Sequence, residues 1–213
     1  MTTLRICFVG DSITNGTADD ACLGWPGRLC AAERARGHDV TIYNLGVRAE
    51  TTAHIVPRWR QECAPRLPDH SPGALVFAFG VNDIAEEAGA LRCPFVDSLA
   101  NARRIVGEAL AWKPVLWIGP APVDESLQPL QPAPGVSYAF QNQRAADLSA
   151  AYGAAADELG VPFLDLFTPL AADRRYLESL KQADGVHPDA AGYAAIAEQV
   201  GRWADWRAWF DGG

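Results

Sequence analysis

Five short apolar segments recur along the chain and are separated by longer segments with a different pattern. The first, Leu4–Val9, shows no strict alternation of apolar and polar residues, which is typical of a strand buried on both faces of a parallel sheet. The third reads ALVFAF and lies between a Pro-Gly turn and Gly80. The five predicted strands are Leu4–Val9, Val40–Asn44, Ala74–Phe79, Val115–Ile118 and Val161–Leu166.

The segments between these strands have apolar residues at helical spacing. In Phe95–Trp112, for example, Val96, Leu99, Ile105 and Leu110 form an apolar face. The other predicted helices are Trp25–Arg36, a helix from Thr51 or Thr52 to about Arg60, Gln141–Leu159, a short helix within Thr168–Ala183, and Ala190–Phe210. The alternation of strands and helices predicts a three-layer α/β/α domain with a doubly wound parallel sheet and right-handed crossovers.

The segment Gly119–Gly135, after the fourth predicted strand, contains five prolines. Proline has no N–H, so it interrupts both helices and the hydrogen-bond ladder of a sheet. We therefore expect a long loop at the edge of the sheet where ligands bind. From this location, the loop is expected to shape a substrate pocket together with Trp25 and Arg48. The pattern does not decide whether the loop also acts as a lid.

Composition and charge narrow the class of protein. The 213 residues fit one domain over 1–213, and 49% hydrophobic with 21% charged residues is typical of a globular protein. The net charge of −8 provides no basic surface to neutralise phosphates, which argues against DNA and RNA as partners. The same charge argues against stable association with anionic membranes. No apolar segment approaches the ~20 residues that span a bilayer.

Two features predict a cytoplasmic location. The first strand pattern begins at Leu4, which leaves no room before it for a signal peptide. The five cysteines are odd in number and scattered without a CxxC pair, which suits reduced thiols in the cytosol. The oligomeric state is not indicated by the pattern.

Polar residues follow the first three predicted strands and precede the last helix. They are Ser12, Gly46, Asn82 and the pair Asp184 and His187. Because the carboxyl ends of parallel strands meet at one edge of the sheet, we expect these distant residues to converge there. Neighbouring Asp residues of the same turns are expected to bind backbone amides, as is common for Asp in turns.

The four sequence blocks together resemble the SGNH hydrolases, also called the GDSL esterase/lipase family. The blocks are Gly10-Asp11-Ser12-Ile13, Gly46, Gly80-Val81-Asn82-Asp83 and Asp184-Gly185-Val186-His187-Pro188, in this order over nearly the whole chain. The resemblance implies a flavodoxin-like five-stranded parallel sheet. It further implies that the enzyme is a carboxylic ester hydrolase.

Carried over residue by residue, the resemblance assigns a role to each block. It implies Ser12 as nucleophile, His187 as base and Asp184 as the acid that orients His187. It also implies three oxyanion donors, namely the Ser12 amide, the Gly46 amide and the Asn82 side chain. No metal or cofactor belongs to this set.

The chemistry of the residues supports the same roles. A serine hydroxyl needs a base to accept its proton, and histidine, with an ordinary pKa of ~6.5, exchanges protons near neutral pH. Asp184 precedes His187 by three residues, so its carboxylate can bind one imidazole nitrogen while the other faces Ser12. Asn82 suits an oxyanion because it carries N–H donors, whereas the charge of Asp83 would repel one.

The sequence therefore predicts a serine esterase that acts on small, short-acyl or acetyl esters through an acyl-enzyme intermediate. A lysophospholipase or thioesterase activity fits the same family. From a different class, the hydroxyl-rich turn Ser12–Thr17 is also typical of a flavodoxin-like module that binds a phosphate or a flavin. Carboxylates at the strand ends leave Mg²⁺ as a further alternative.

Overall fold

The computed structural model of the protein describes residues 1–211. Its strands are β1 (Thr3–Gly10), β2 (Asp39–Gly46), β3 (Gly73–Ala78), β4 (Glu86–Glu87), β5 (Ala90–Leu91), β6 (Val115–Ile118), β7 (Leu130–Ala133), β8 (Val136–Tyr138) and β9 (Phe163–Leu164). Its α-helices are α1 (Ser12–Asn15), α2 (Gly24–Ala35), α3 (Thr52–Cys63), α4 (Phe95–Leu110), α5 (Asn142–Leu159), α6 (Phe167–Ala171), α7 (Arg174–Lys181), α8 (Ala190–Arg202) and α9 (Ala204–Asp211).

Five of these strands form the central parallel sheet, in the order β2-β1-β3-β6-β9. Numbered among themselves, they have the order 2-1-3-4-5, which is the flavodoxin-like arrangement. Apolar residues of α3, α4 and α5 pack on one face of the sheet, and those of α2, α7, α8 and α9 pack on the other. The predicted three-layer α/β/α architecture is confirmed.

The register of the sheet determines where the functional loops meet. Gly10 at the end of β1 is paired with Gly46 of β2 on one side and with Ala78 of β3 on the other. The three strands therefore end side by side. The segments that follow them leave the sheet at one edge, next to one another.

Two predicted elements are shorter or divided in the structure. Only Phe163–Leu164 of the fifth predicted strand pairs with β6. The Pro162 carbonyl accepts the Trp117 N–H, but Pro162 has no N–H to extend the ladder toward Val161. The predicted helix Ala190–Phe210 is broken at Trp203, whose backbone is extended (φ −65°, ψ 129°). The break turns α9 so that Trp206 becomes fully buried and its indole N–H donates to Glu33.

Two small hairpins were not predicted. β4 pairs with β5, and β7 pairs with β8 inside and just beyond the proline-rich segment. The expectation that this segment forms no ladder was thus wrong, because Leu130 and Ala133 pair across the hairpin while Pro132 between them does not. Backbone hydrogen bonds between Glu86 and Ala139 join the two hairpins.

None of the helices within residues 1–211 combines the length and the apolar character that crossing a membrane requires.

Candidate active site

Ser12 begins the one-turn helix α1 directly after β1. The Asp11 carboxylate caps this turn by accepting the Ile13 N–H at 2.9 Å, as expected for a structural Asp. Position 10 requires glycine because the neighbouring strand is close, and a Cβ there would lie 2.0 Å from the Ala78 carbonyl oxygen. The Ser12 side chain is thereby held at the edge of the sheet, with 5% of the residue exposed.

His187 reaches Ser12 across 175 positions of sequence. Its Nε2 lies 2.8 Å from the Ser12 Oγ, and its Nδ1 lies 2.7 Å from Asp184 Oδ2. A carboxylate only accepts hydrogen bonds, so Nδ1 carries a proton and donates it to Asp184. In the neutral ring, Nε2 is then the acceptor that faces the Ser12 hydroxyl.

The Asp184 carboxylate is firmly held in its charged form. Burial acts to raise its pKa, but hydrogen bonds and the charge of His187, with the N–H groups of Val186 and His187, outweigh burial and lower the pKa to about 2. Asp184 is therefore ionised at neutral pH. It is placed to stabilise a positive charge on the His187 ring.

Asn82 lies after β3 and is 5% exposed. Its Oδ1 accepts a hydrogen bond from Arg92 Nη1 at 3.1 Å. A guanidinium only donates, so this contact fixes which end of the Asn82 amide is oxygen and places the Nδ2 donor on the opposite side. The adjacent Asp83 turns away and accepts hydrogen bonds from the N–H and hydroxyl of Thr52.

Gly46 does not meet the expectation of an oxyanion donor. Its N–H donates to the Asn44 side chain at 3.0 Å and is therefore already used. A Cβ at Gly46 would lie 2.2 Å from the Asn15 nitrogen and 2.6 Å from the Asp11 oxygen. The glycine is needed because the serine turn packs on its backbone, which corrects the role predicted from sequence.

Ala49, three residues further along, is a second backbone position beside Ser12. It lines the same cavity as Ser12 and Asn82, and its backbone has a left-handed conformation with φ of 63°. Among residues 1–211, neither the Ala49 N–H nor the Ser12 N–H has a backbone acceptor. Glycine is the residue that indicates a left-handed backbone in a sequence, so the alanine at position 49 did not indicate this conformation.

The cavity beside Ser12 has a volume of about 70 Å³. Apart from polar groups of Ser12, Asn82, His187 and Arg48, its lining is largely apolar. It comprises Ser12, Arg48, Ala49, Val81, Asn82, Leu130, Pro132, Tyr138, Phe140, Val186 and His187. The proline-rich segment contributes Leu130 and Pro132, and the hairpin strand β8 contributes Tyr138.

The two predicted pocket residues have different positions. Arg48 is exposed and lines the cavity. Trp25 is 1% exposed and packs edge-to-face on Phe8, with ring centroids 5.4 Å apart. It belongs to the core beneath the sheet edge, where α2 covers β1, and not to this cavity. The prediction for Trp25 is corrected accordingly.

The alternatives from other classes find little support in the geometry. The polar side chains that suggested a phosphate cradle form hydrogen bonds with other groups of the chain, since Thr14 donates to Ala78, Asn15 to Gly46 and Thr17 to Asn15. No cluster of His, Cys, Asp or Glu suited to a metal ion occurs in the described part of the chain. A larger groove of about 280 Å³ between α2 and α8 contains none of the predicted site residues.

Comparison with known proteins identifies the family. The sequence profile of the GDSL-like Lipase/Acylhydrolase family matches residues 8–195. The chain belongs to this family. As a GDSL-like acylhydrolase it is a carboxylic ester hydrolase, and the resemblance seen in the four sequence blocks is confirmed. No curated protein sequence matches the chain significantly.

Solved structures share the fold over nearly the whole chain. A lipase/acylhydrolase from Enterococcus faecalis is 24% identical with a TM-score of 0.75, covering 95% of this chain and 94% of its own. A catalytic mutant of an acetylxylan esterase from Geobacillus stearothermophilus is 17% identical with a TM-score of 0.68, covering 93% of each chain. TesA is 24% identical with a TM-score of 0.67, covering 92% of this chain and 95% of its own.

Proposed function

We propose that this GDSL-like acylhydrolase is a serine esterase that cleaves small, short-acyl carboxylic esters through an acyl-enzyme intermediate. One observation carries the proposal, namely the continuous contact from Ser12 Oγ through the His187 ring to the Asp184 carboxylate at the wall of a small cavity. Nucleophile, base and orienting acid are within hydrogen-bond reach of one another, as the reaction requires.

In the first half of the reaction, Ser12 Oγ attacks the ester carbonyl. Its proton passes to His187 Nε2, and the resulting imidazolium is stabilised by ionised Asp184. The tetrahedral intermediate collapses, the bond to the alcohol oxygen breaks, and the alcohol leaves with the proton from His187. Ser12 then carries the acyl group.

In the second half, water replaces the alcohol. His187 removes a proton from water, the hydroxide attacks the acyl carbonyl, and a second tetrahedral intermediate forms. Its collapse breaks the bond to Ser12 Oγ, which regains the proton from His187. The carboxylic acid is released and the enzyme returns to its starting state without a metal or cofactor.

Three donors are assigned to the negative oxygen of each tetrahedral intermediate. They are the Ser12 N–H, the Asn82 Nδ2 and the Ala49 N–H, which replaces the donor first assigned to Gly46. Support comes from their shared cavity and from the orientation that Arg92 gives to the Asn82 amide. Donors already in place are effective because they need no reorganisation when charge develops.

The cavity argues for a small acyl group. Its volume of about 70 Å³ is below the range usual for drug-sized ligands, and Leu130, Tyr138 and Phe140 line it with bulky side chains. Arg48 at the wall is assigned to polar groups of the alcohol part. Acetyl esters of sugars fit this description, and one structural relative is named an acetylxylan esterase.

The substrate class is tested with p-nitrophenyl esters from acetate to palmitate, together with an acetylated sugar, an acyl thioester and a lysophospholipid. We expect kcat/KM to be highest from acetate to butyrate and to fall for longer chains. Preference for palmitate or for the lysophospholipid would contradict the short-acyl assignment. A preference for the thioester would identify the enzyme as a thioesterase.

A pair of hairpin variants tests the shape of the cavity. Leu130→Ala removes a lining side chain and should shift the optimum toward longer acyl chains. Val136→Ala shortens a side chain of the same hairpin that is not among the lining residues and serves as the control. An unchanged profile in Leu130→Ala would show that the hairpin does not limit acyl length.

The cytoplasmic location, the single domain over 1–213, and the independence from nucleic acids, membranes, metals and cofactors stay predictions from the sequence.

A further inference from the structure

Arg92 is a nearly buried cation that no step of the proposed reaction uses. It follows β5 in a loop, and 10% of its side chain is exposed. Burying a guanidinium is unfavourable unless its charge and donors find partners. The Arg92 Nε faces the Glu87 carboxylate at 3.5 Å, and the two Nη groups indicate what the side chain holds in place.

The Arg92 side chain contacts three separate walls of the cavity. Its Nη1 donates to Asn82 Oδ1 at 3.1 Å, and its Nη2 donates to the Ala49 carbonyl at 2.7 Å. Its guanidinium carbon also lies 4.4 Å from the centre of the Tyr138 ring, within the range of a cation–π contact. One side chain thus links the loop after β2, the loop after β3 and strand β8.

We propose that Arg92 is a positioning residue that fixes two of the three oxyanion donors, an inference that rests on the proposed function. The guanidinium is a rigid, planar fork, so two of its N–H groups hold Asn82 and Ala49 at a set separation. Arg92 acts through these residues and does not itself belong to the reacting set.

The contact with Asn82 determines which atom faces the substrate. The amide of Asn turns about a broad, roughly two-fold torsion, so both orientations are accessible to an unrestrained side chain. An Asn82 oxygen turned toward the oxyanion would repel it, whereas the nitrogen donates. Because Arg92 can only donate, it selects the orientation with Oδ1 toward itself.

The contact with Ala49 supports an unfavourable backbone conformation. A left-handed conformation is unfavourable for a non-glycine residue because its Cβ comes too close to the following carbonyl oxygen. The hydrogen bond from Arg92 to the Ala49 carbonyl favours the conformation with φ of 63° that is observed. Loss of Arg92 is therefore expected to loosen both donors together, while the contacts among Ser12, His187 and Asp184 remain.

The test compares Arg92→Met with Arg144→Met in the full-length enzyme. Arg144 is a matched control because it donates to Ile84 and Glu86 in the same region, with 28% of its side chain exposed. With p-nitrophenyl acetate, Arg92→Met should lower kcat by about 10-fold to 100-fold, part of the loss typical for a whole donor. KM and the pH profile should change little, since substrate contacts and the proton relay are retained. Arg144→Met should stay within about threefold of wild type on both constants.

A double-mutant cycle separates positioning from general destabilisation. In the Asn82→Ala background, Arg92→Met should cost clearly less in kcat than in wild type, because one of the two donors it positions is already absent. Equal loss in both backgrounds, a change confined to KM, or an equal loss in Arg144→Met would overturn the proposal.

If Arg92→Met does not fold, as judged by Tm, Arg92→Lys takes its place. The compact ammonium of lysine lacks the rigid, planar guanidinium of arginine, so kcat should also fall in Arg92→Lys.

A fluorophosphonate probe distinguishes this inference from the proposed function. If the wild type is not labelled at Ser12, the serine mechanism itself is wrong. If the wild type is labelled at Ser12 and Arg92→Met retains full kcat, only the role of Arg92 is wrong.

Discussion

The Asp184 carboxylate binds both the backbone and the imidazole ring of His187. The Asp184 Oδ1 accepts the His187 N–H at 2.8 Å, while Oδ2 contacts the ring Nδ1 at 2.7 Å. One carboxylate therefore sets the position of the peptide and the direction of the imidazole at once. This is why three residues of separation suffice to aim Nε2 at Ser12.

Replacing Asp184 with Asn should leave the ring without a carboxylate and favour the wrong tautomer. We expect kcat for p-nitrophenyl acetate to fall by about 10³-fold to 10⁴-fold. Asp189→Asn is the control, because Asp189 also accepts two backbone N–H groups nearby, at Ala191 and Gly192, but caps α8. A loss below about tenfold in Asp184→Asn would contradict the assigned role.

Replacing Asn82 with Ala removes an assigned side-chain donor. The expected loss is about 10²-fold to 10³-fold in kcat, with KM nearly unchanged, because the lost interaction is strongest when the oxyanion forms. Asn101→Ala is the control, since its amide donates to Thr52 outside the cavity. An effect on KM alone would assign Asn82 to substrate binding.

Ala49→Gly tests the left-handed backbone at the edge of the cavity. Glycine adopts this conformation without the steric cost of a Cβ, so the free energy of unfolding should rise or stay level, by up to about 1 kcal/mol, with activity retained. Ala31→Gly, at an exposed position inside helix α2, should instead lower the stability by roughly 1 kcal/mol. Urea unfolding of the two variants measures both effects. Equal destabilisation would contradict the assigned conformation.

The raised pKa of Asp11 predicts that the stability of the protein depends on pH. Burial raises the pKa of its carboxyl from 3.8 to about 6, so between these values the folded protein binds more protons than the unfolded chain. Stability from this group is present at pH 4 and lost as the pH rises through 6, by up to about 3 kcal/mol. Asp184 acts in a separate window, because its lowered pKa removes stability only as the pH falls from about 4 toward 2.

Asp11→Asn should remove the contribution of Asp11 to the decline between pH 4 and pH 7 while keeping an oxygen that accepts the Ile13 N–H. Urea unfolding at several pH values gives the difference in unfolding free energy between the two proteins. That difference should grow in favour of the variant as the pH rises. A difference independent of pH would show that Asp11 titrates alike in the folded and unfolded states.

The centre of the sheet could be predicted because β1, β3 and β6 are buried on both faces and stand out as apolar segments. The two short hairpins could not, because β4 and β7 lack an apolar pattern and are stabilised by contacts with each other's loops. The break at Trp203 was also hidden, since both α8 and α9 continue an apolar stripe. In each case tertiary contacts decided what local sequence left open.

Residues with distinctive side chains could be placed in the candidate site from sequence alone. The structure brings Ser12, Asn82, Asp184 and His187 to one cavity or its wall. Backbone donors were harder, because nothing in the sequence shows that the Gly46 N–H is used by Asn44 or that Ala49 is left-handed. Trp25 was misplaced for a related reason, since a tryptophan near a turn fits a pocket and a core equally well.

The most direct test of the account is the site of acylation. Wild type, Ser12→Ala and the control Thr14→Ala, whose hydroxyl donates to Ala78, are mixed with p-nitrophenyl acetate, quenched in acid and analysed by peptide mass spectrometry. We predict an acetyl group on Ser12 in wild type and Thr14→Ala. Ser12→Ala should carry none and should lose turnover by a factor on the order of 10⁴ or more. Acetylation of another residue, or turnover retained by Ser12→Ala, would contradict the central claim that Ser12 is the nucleophile.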